Sequence, residues 1–245
     1  MKDHFSSQAK LYANFRPHYP DALYDFLYSN IQKFGNAWDA GTGNGQVAAE
    51  LAKKFTSVYA SDISTKQLAE APLLPNVFYR TETAENASYP DHYFDLITVA
   101  QAIHWFSFDQ FYATVKRTLK PGGVIAVIGY GLLTINNTID KWLLYFYIDV
   151  IGPYWDKERK YIDELYQTIP FPFTEIIASN FKIEYTWTKE QFLGYLNTWS
   201  AVQNFIKTTN MHPMSDELLL SLNKIWRDDE VHKISFPLLL RTGRL

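Results

Sequence analysis

A glycine-rich turn between a short apolar strand and a helix is the feature that most constrains how this chain can fold. The turn reads DAGTGNG over residues 39–45, with a predicted strand at 37–40 and a predicted helix at 46–54 on either side of it. Glycines at such a junction let the backbone turn tightly and approach a ligand closely. The turn therefore predicts an open α/β sheet with a ligand site at the carboxyl end of its first strand.

Segments of strand length alternate with helix-like segments beyond this turn. A helix is predicted to begin after Ser64 as its N-cap, and another runs over 108–119 until KPGG at 120–123 ends it. The nearly continuous apolar run at 94–100 is typical of a central strand buried on both faces. The alternation favours a Rossmann-like α/β fold whose seven-stranded sheet is mostly parallel with an antiparallel final strand. The other predicted strands lie at residues 57–61, 77–80, 124–129, 183–187 and 231–240.

The chain of 245 residues has no long linker and no internal repeat, so we expect a single domain. Residues 34–130 are its predicted cofactor-binding core, and residues 1–33 are a predicted N-terminal helical lid. Aromatic residues make up 17% of the chain, and those of the second half are expected to wall a pocket over the sheet. The remaining predicted parts are a helical cap at 131–180 and 188–227 and closing strands at 183–187 and 231–241.

The composition argues against several classes of partner. Lys and Arg total 23 against 26 Asp and Glu, so the formal net charge of -3 does not suit a surface that neutralises phosphates. The chain has no cysteine, and its six histidines show no metal-ligand spacing. The opening residues carry no apolar run of signal-peptide type, and no segment has the length to span a bilayer. We therefore expect a cytoplasmic protein with no metal, nucleic-acid or membrane partner.

Two acidic residues narrow the choice of nucleoside cofactor. Asp62 closes the second strand, where a carboxylate can accept both ribose hydroxyls of either a dinucleotide or another nucleoside. A dinucleotide fingerprint needs a third glycine at the position of Gln46. Asp39 beside the turn would repel a pyrophosphate but suits an amino group. A NAD(P)-dependent oxidoreductase is therefore disfavoured.

The order of these motifs resembles the class I S-adenosylmethionine (SAM) dependent methyltransferases. The spacing G-x-G-x-G behind an acid is similar to their motif I, and QAIHWF at 101–106 follows the central strand where that family lines the methyl-transfer site. The segments at 12–20 and 195–202 are similar to the methyltransferase type 11 branch that contains trans-aconitate methyltransferase-like proteins. The resemblance implies SAM as cofactor and S-adenosylhomocysteine (SAH) as its product.

This resemblance also implies roles for individual residues. His104 and Trp105 are the expected catalytic residues beside the methyl group. The expected cofactor-binding residues are Tyr12, Arg16, Asp39, Gly41, Thr42, Gly43, Gly45, Asp62, Ile63, Ala84, Glu85, Gln101 and Ala102. The expected acceptor-binding residues are His18, Tyr130, Trp142, Tyr195 and Trp199.

The chemistry of methyl transfer favours a particular acceptor. Transfer from a sulfonium is an in-line displacement, so catalysis comes largely from holding acceptor and methyl in line. A carboxylate is already ionised at neutral pH and needs no general base, although it does need a cationic or hydrogen-bonding cradle. We therefore expect O-methylation of a carboxylate on a small molecule. Candidates for the cradle are His18, His104 and Arg241, with Tyr130, Tyr154 and Tyr195 as hydroxyl donors.

Other functions stay open on the sequence alone. The acceptor could be a nitrogen or carbon atom of another small molecule or of a protein, and a non-catalytic SAM-binding protein is also compatible. A nucleic-acid amino-methyltransferase is disfavoured because QAIH at 101–104 stands where that class carries an Asp/Asn-Pro-Pro-aromatic motif. Monomer and dimer are equally compatible with the sequence.

Overall fold

The computed structural model of the protein describes residues 16–178 and 180–245. Eight strands form one mixed sheet in the order β3-β2-β1-β4-β5-β8-β6, and β7 pairs with β8 outside that order. The strands are β1 (Asn36–Ala40), β2 (Ser57–Asp62), β3 (Val77–Thr81), β4 (Phe94–Ala100), β5 (Leu119–Tyr130), β6 (Thr174–Glu175), β7 (Lys182–Thr188) and β8 (Val231–Arg244).

Helices occupy the connections between these strands. Within the described residues, no helix combines the length and the apolar character that crossing a membrane requires. Short 3-10 turns lie at Ala84–Asn86, Ile103–Trp105, Gly152–Tyr154 and Lys157–Arg159, and a π-helical turn lies at Phe146–Val150. The α-helices are α1 (Asp21–Ser29), α2 (Gln46–Leu51), α3 (Thr65–Ala69), α4 (Phe108–Thr118), α5 (Asn137–Tyr145), α6 (Lys160–Asp163), α7 (Lys189–Asn197), α8 (Ser200–Thr209) and α9 (Asp216–Ile225).

The Rossmann-like fold predicted from the sequence is confirmed. Strands β1 to β5 are parallel to one another, and β8 is antiparallel to β5. The two-residue β6 is an addition to the seven strands that were predicted, and it pairs with the end of β8. Chain order reverses between β1 and β4, and such a switch point is where open α/β sheets bind ligands.

Alternate residues of the parallel strands enter two separate hydrophobic clusters. Ala37 and Leu96 belong to the cluster on one face of the sheet, and their neighbours Trp38 and Ile97 belong to the cluster on the other. This alternation follows from the two-residue period of a strand. Because both faces are covered, β4 is buried over its first six residues, in agreement with its apolar sequence.

Strand β5 begins earlier than the sequence predicted. Leu119 already pairs with Phe94, so residues 120–123 lie within the strand rather than in a turn before it. The pairing shifts between Phe94 and Leu96, and Gly122 has a φ of 76°. An irregularity of this kind lets extra residues enter a strand without losing the register beyond them. The predicted start at residue 124 was therefore wrong, although the paired register from Val124 onward is regular.

The region predicted as a helical cap contains α5 to α9 and the short turns between them. Side chains of this region, including Trp142, Phe146 and Trp199, share a hydrophobic cluster with residues of β5 and β8. Residues 1–15 of the predicted N-terminal lid lie outside the described residues, which include its α1 and the segment 16–20. The boundaries of core, lid and cap stay predictions.

Candidate functional site

The glycine turn joins β1 to α2 in a left-handed conformation. Gly41 and Gly43 have φ angles of 69° and 57°, which residues with a side chain adopt only at a cost. A Cβ on Gly41 would lie 2.6 Å from the Cβ of Ala102, whereas a Cβ on Gly43 would meet nothing within 4 Å. The first glycine is therefore required by packing against the segment after β4. The second leaves open space above the turn, where a ligand can approach the backbone.

Asp39, at the penultimate position of β1, is a buried carboxylate held by two hydroxyl groups. Thr42 Oγ1 donates to one carboxylate oxygen at 2.6 Å, and Thr98 Oγ1 donates to the other at 2.8 Å. Burial raises the pKa of Asp39 to about 6, although these two hydrogen bonds oppose the shift. A cation bound next to this group would stabilise its ionised form.

Asp62 connects the glycine turn to the start of α3. One of its carboxylate oxygens accepts from the backbone N–H of Gly43 at 2.9 Å, and the other accepts from the N–H of Ser64 at 2.9 Å. A carboxylate at the end of this strand is the kind of group that accepts hydrogen bonds from ribose hydroxyls. Ser64 caps α3 as predicted, since its Oγ accepts from the N–H of Gln67.

A cavity of about 360 Å³ lies over the carboxyl ends of β1, β2 and β4, where the sequence predicted a ligand site. The residues lining it include most of those assigned to the cofactor and two of those assigned to the acceptor. From the sequence-based assignments these are Arg16, His18, Asp39, Gly41, Thr42, Gly43, Asp62, Ile63, Ala84, Gln101, Ala102, Trp105 and Tyr130.

Two of the described residues assigned to the cofactor, Gly45 and Glu85, are not among those lining this cavity. Tyr12 lies outside the described residues. Gly45 faces the Tyr79 side chain, and a Cβ there would lie 2.7 Å from the Tyr79 hydroxyl. Glu85 accepts a hydrogen bond from the N–H of Ser107 at 3.0 Å, so it fixes the start of α4. The structure therefore gives Gly45 and Glu85 local structural contacts.

The segment before α1 borders the cavity and is tied to three parts of the fold. Arg16 Nη1 donates to the Tyr130 hydroxyl at the end of β5, at 2.8 Å. The backbone N–H of His18 donates to the Tyr185 hydroxyl at 2.7 Å. Gln46 Nε2 lies 2.7 Å from His18 Nδ1, so the residue that breaks the dinucleotide pattern holds this segment against the glycine turn.

A second, smaller cavity of about 40 Å³ adjoins the first on the side of the cap. Four of the described residues line both cavities: Arg16, Gln101, Trp105 and Tyr130. Gln101 has a φ of 53°, and its Nε2 donates to the backbone oxygen of Tyr130 at 3.1 Å. The further residues lining the smaller cavity are His104, Gly131, Trp155, Asp156, Arg159, Ile162, Tyr195, Trp199 and Ser200.

His104 is a neutral group in this second cavity. Burial, followed by the nearby charges of Arg159 and Arg16, lowers the pKa of His104 to about 3. Its Nδ1 lies 3.2 Å from the Tyr166 hydroxyl. His104 therefore cannot supply the positive charge considered for it from the sequence. It remains a candidate as a hydrogen-bonding group.

Three other residues considered for the acceptor site lie elsewhere. Trp142 Nε1 donates to Ser221 Oγ at 2.9 Å, and its ring stacks on Phe146. Tyr154 packs its ring against Phe205. Neither residue lines either cavity. Their expected contacts with an acceptor need correction, because both side chains pack against helices of the cap.

Arg241, the third of these residues, likewise needs correction as a candidate for the acceptor cradle. Its guanidinium donates to the backbone oxygen of Ile169 at 2.6 Å and pairs with Glu175. Because β8 is antiparallel, its later residues run back from the carboxyl ends of the parallel strands, and Arg241 pairs opposite Val127. The side chain is therefore held at the β6 edge of the sheet, away from both cavities.

Arg159 is the cationic residue of the second cavity that sequence reasoning missed. Its Nε donates to the Tyr147 hydroxyl at 2.7 Å, and its guanidinium carbon lies 4.5 Å from the centre of the Trp155 ring. The sequence places it in the charged run DKERK at 156–160, which has no motif and resembles a solvated surface. Trp155 itself was expected to wall a pocket. Among the described residues, no group of three or more His, Cys, Asp or Glu side chains could hold a metal ion.

A family model, a curated relative and a solved structure that match this chain are all described as methyltransferases. A family model described as a methyltransferase domain matches residues 38–127. A Dictyostelium discoideum protein named as a methyltransferase is 35% identical over 97% of this chain and 93% of its own length. The solved structure of an Anaeromyxobacter dehalogenans protein described as a type II methyltransferase is 35% identical, with a TM-score of 0.85 over 94% of this chain and 98% of that one.

A more distant structure supports the fold alone. The structure of a Bacillus halodurans protein described as a methyltransferase has a TM-score of 0.53 at 20% identity and covers 92% of this chain. The Dictyostelium and Anaeromyxobacter relatives, by contrast, align over almost the full length of both chains, cap included. On that evidence the chain belongs to the class I SAM-dependent methyltransferases.

Proposed function

We propose that the larger cavity binds SAM and that the smaller cavity holds a small-molecule acceptor whose carboxylate is methylated. The observation that carries this proposal is the shared wall of Arg16, Gln101, Trp105 and Tyr130, which brings the two cavities into contact. A ligand in one is thereby adjacent to a ligand in the other. Methyl transfer requires that adjacency, since donor and acceptor must react in line.

The residues of the larger cavity fit SAM in charge and shape. Asp39 provides a buried carboxylate for the amino group of the methionine moiety, whose charge would offset the penalty that burial places on the ionised form of Asp39. Asp62 provides a carboxylate for the ribose hydroxyls, and its hydrogen bonds to two backbone N–H groups fix its position. Ile63 and Ala84 supply apolar surface for the adenine ring. The open space at Gly43 lets the backbone approach the ligand.

SAM supplies a sulfonium methyl group, whose bond to sulfur breaks as the acceptor oxygen bonds to the methyl carbon, leaving the electron pair on the thioether of SAH. Arg16 and the Tyr130 hydroxyl can donate to an acceptor carboxylate at the shared wall, where they already bond to each other. The buried rings of Tyr195 and Trp199 line the cavity next to this position and reduce the room for water there. An ionised carboxylate gives up no proton, so neutral His104 is not required to act as a base.

The charge of the smaller cavity supports an anionic acceptor over a basic amine. Arg16 and Arg159 both line it and both lower the pKa of His104, and Asp156 is the one acidic residue among the described residues lining it, so guanidinium groups outnumber carboxylates there by two to one. A protonated amine would be repelled by two guanidinium groups and would also need a base before it could react. The small volume of the cavity favours a small molecule over a folded protein as its occupant.

The cofactor assignment can be tested by titration calorimetry with SAH on the native chain and on Asp62→Ala. We expect micromolar binding that the substitution abolishes, with the fold checked by circular dichroism. Asp91→Ala is the matched control, because Asp91 is an exposed carboxylate that pairs with Arg117 and lines neither cavity. Absence of SAH binding to the native chain would refute the proposal, and a parallel titration with NAD(H) would identify a dinucleotide site.

The acceptor assignment needs a separate measurement. Small carboxylic acids are incubated with SAM and the chain, and mass spectrometry follows the formation of methyl esters and of SAH. We expect esters from carboxylic acids and no product from matched primary amines. Product from the amines alone would replace O-methylation by N-methylation.

A further inference from the structure

We propose that Arg159 is the residue that selects the acceptor, by binding a second anionic group that does not react. The inference rests on the proposed function, because it takes the smaller cavity as the acceptor site. Arg16 lines both cavities, whereas Arg159 lines only the smaller one. Two cations therefore follow one another along the path that leads away from the cofactor. An acceptor with anionic groups at both ends can contact both of them.

The side chain of Arg159 is held by its neighbours along one edge. Its Nε donates to the Tyr147 hydroxyl at 2.7 Å, and that hydroxyl donates to Asp163 Oδ1 at 2.6 Å. The guanidinium carbon lies 4.5 Å from the ring centre of Trp155 and 5.4 Å from that of Tyr147. These contacts fix the plane of the guanidinium before any ligand arrives, which lowers the entropy that binding would otherwise lose.

The opposite edge of the guanidinium remains available. Neither Nη1 nor Nη2 of Arg159 donates a hydrogen bond to any residue in 16–178 or 180–245. The one carboxylate paired with Arg159 in that part of the chain is Asp163, at 3.4 Å from Nε. A guanidinium with a free pair of Nη groups can bind a carboxylate or a phosphate through two parallel hydrogen bonds.

Exposure and size limit what can occupy this position. The side chain of Arg159 is only 19% exposed, so its charge is screened less than that of a surface arginine. A cavity of about 40 Å³ has room for about three water molecules. That space accommodates one carboxylate or phosphate group with a short linker, and it is too small for an aromatic ring system.

The test compares acceptors that differ only at the end remote from the reacting carboxylate. Pentanoate ends in a methyl group, glutarate in a carboxylate and 4-phosphonobutyrate in a phosphonate, and each is run with shorter and longer homologues. Initial rates of SAH formation give kcat/KM for the native chain, Arg159→Met and Arg159→Lys. Lys157→Met is the matched control, since it removes a positive charge from the same segment but lines neither cavity.

We expect the native chain to favour an acid with a charged remote end. Arg159→Met should lower kcat/KM for that acid about 10- to 100-fold, as for the loss of hydrogen bonds to a charged group, and should lower it much less for pentanoate, whose remote end accepts no hydrogen bond. Arg159→Lys should retain part of the preference for a charged remote end, because it keeps the positive charge but cannot donate two parallel hydrogen bonds. The carboxylate and phosphonate arms identify which anion is preferred. Equal use of pentanoate and glutarate at every length, or a preference that survives Arg159→Met, would overturn the inference.

A second readout separates this inference from the transfer reaction itself. The same acids are titrated into the complex with SAH, whose formation also shows that each variant is folded. Binding of acids with two anionic ends to the native complex and not to Arg159→Met supports the inference even if no ester forms. In that case only the proposed reaction fails. If none of the acids binds the native complex, the inference fails as well.

Discussion

Replacing Asp39 by Asn should make the ligand-free protein more stable at the expense of cofactor binding. The carboxyl group is buried, and its pKa rises from 3.8 in an unfolded chain to about 6 in the fold. A shift of about 2 units corresponds to about 3 kcal/mol of free energy of unfolding. Asn is close in size, can exchange hydrogen bonds with the two threonine hydroxyls, and carries no charge to bury.

The sign of this effect depends on pH. Because the pKa of this acid is higher in the folded state, the folded state binds the proton more tightly, and that stabilisation is complete below about pH 4. It is lost as the pH rises through 6, where the buried carboxyl ionises. The neutral amide that Asp39→Asn introduces has no such loss. The two proteins should therefore differ little at pH 4 and most at pH 8.

Thermal unfolding of the ligand-free proteins measures this difference. For a chain of this size, about 3 kcal/mol corresponds to a Tm higher by about 6–12 °C in Asp39→Asn at pH 8. The matched control is Asp95→Asn, because Asp95 accepts hydrogen bonds from Lys120 Nζ at 2.8 Å and from the N–H of Asn36 at 2.9 Å. Loss of those partners should lower the Tm instead.

The same variant should bind SAH more weakly, by about 10- to 100-fold, because a neutral amide replaces the charged partner of the amino group. In the native chain that amino group would stabilise the ionised form of Asp39. SAH affinity should therefore rise between pH 5 and pH 7, and the variant should lack that rise. An Asp39→Asn protein that is no more stable at pH 8, or whose advantage is the same at pH 4, would refute the reasoning.

Three further results are expected. Gly43→Ala should weaken SAH binding at least tenfold in calorimetry, whereas Gly122→Ala, which has the same left-handed strain and open surroundings, should not. His104→Ala should lower kcat and leave SAH affinity unchanged. Because the pKa of His104 is about 3, turnover by the native chain between pH 5 and pH 8 should show no change caused by titration of this imidazole. Tyr147→Phe should raise KM for an acid with a charged remote end and leave kcat unchanged in initial-rate assays, since it removes the hydroxyl that positions Arg159 and donates to Asp163.

The residues of the larger cavity are predictable from the sequence because each is identified by the short segment around it. The glycine turn, Asp62 and the segment from Gln101 each follow a strand directly, and parallel strands bring their carboxyl ends to one edge of the sheet. The helix beginning after Ser64 was predicted from its capping residue for the same reason. The start of β5 was not predicted, because the sequence KPGG is typical of a turn. The bulge that places KPGG in a strand depends on pairing with β4.

The residues of the smaller cavity could not be predicted from the sequence in the same way. Arg16, Arg159 and Tyr195 meet at one cavity although long stretches of sequence separate them. No strand period or turn motif relates them, and packing of the cap on β5 and β8 decides which of its aromatic rings reach the cavity. Trp142 and Trp199 are alike in sequence terms, yet only Trp199 lines it.

This difference has a physical consequence for how acceptor choice can change. Asp39, Asp62 and the glycine turn are fixed by the sheet, whereas Trp155 and Arg159 belong to short turns of the cap that touch the cofactor cavity only through the shared wall. A substitution in those turns therefore alters the charge and shape presented to the acceptor without altering the contacts that hold the cofactor. The exceptions are the residues that border both cavities, and a change in any of them should affect both ligands together: Arg16, Gln101, Trp105 and Tyr130.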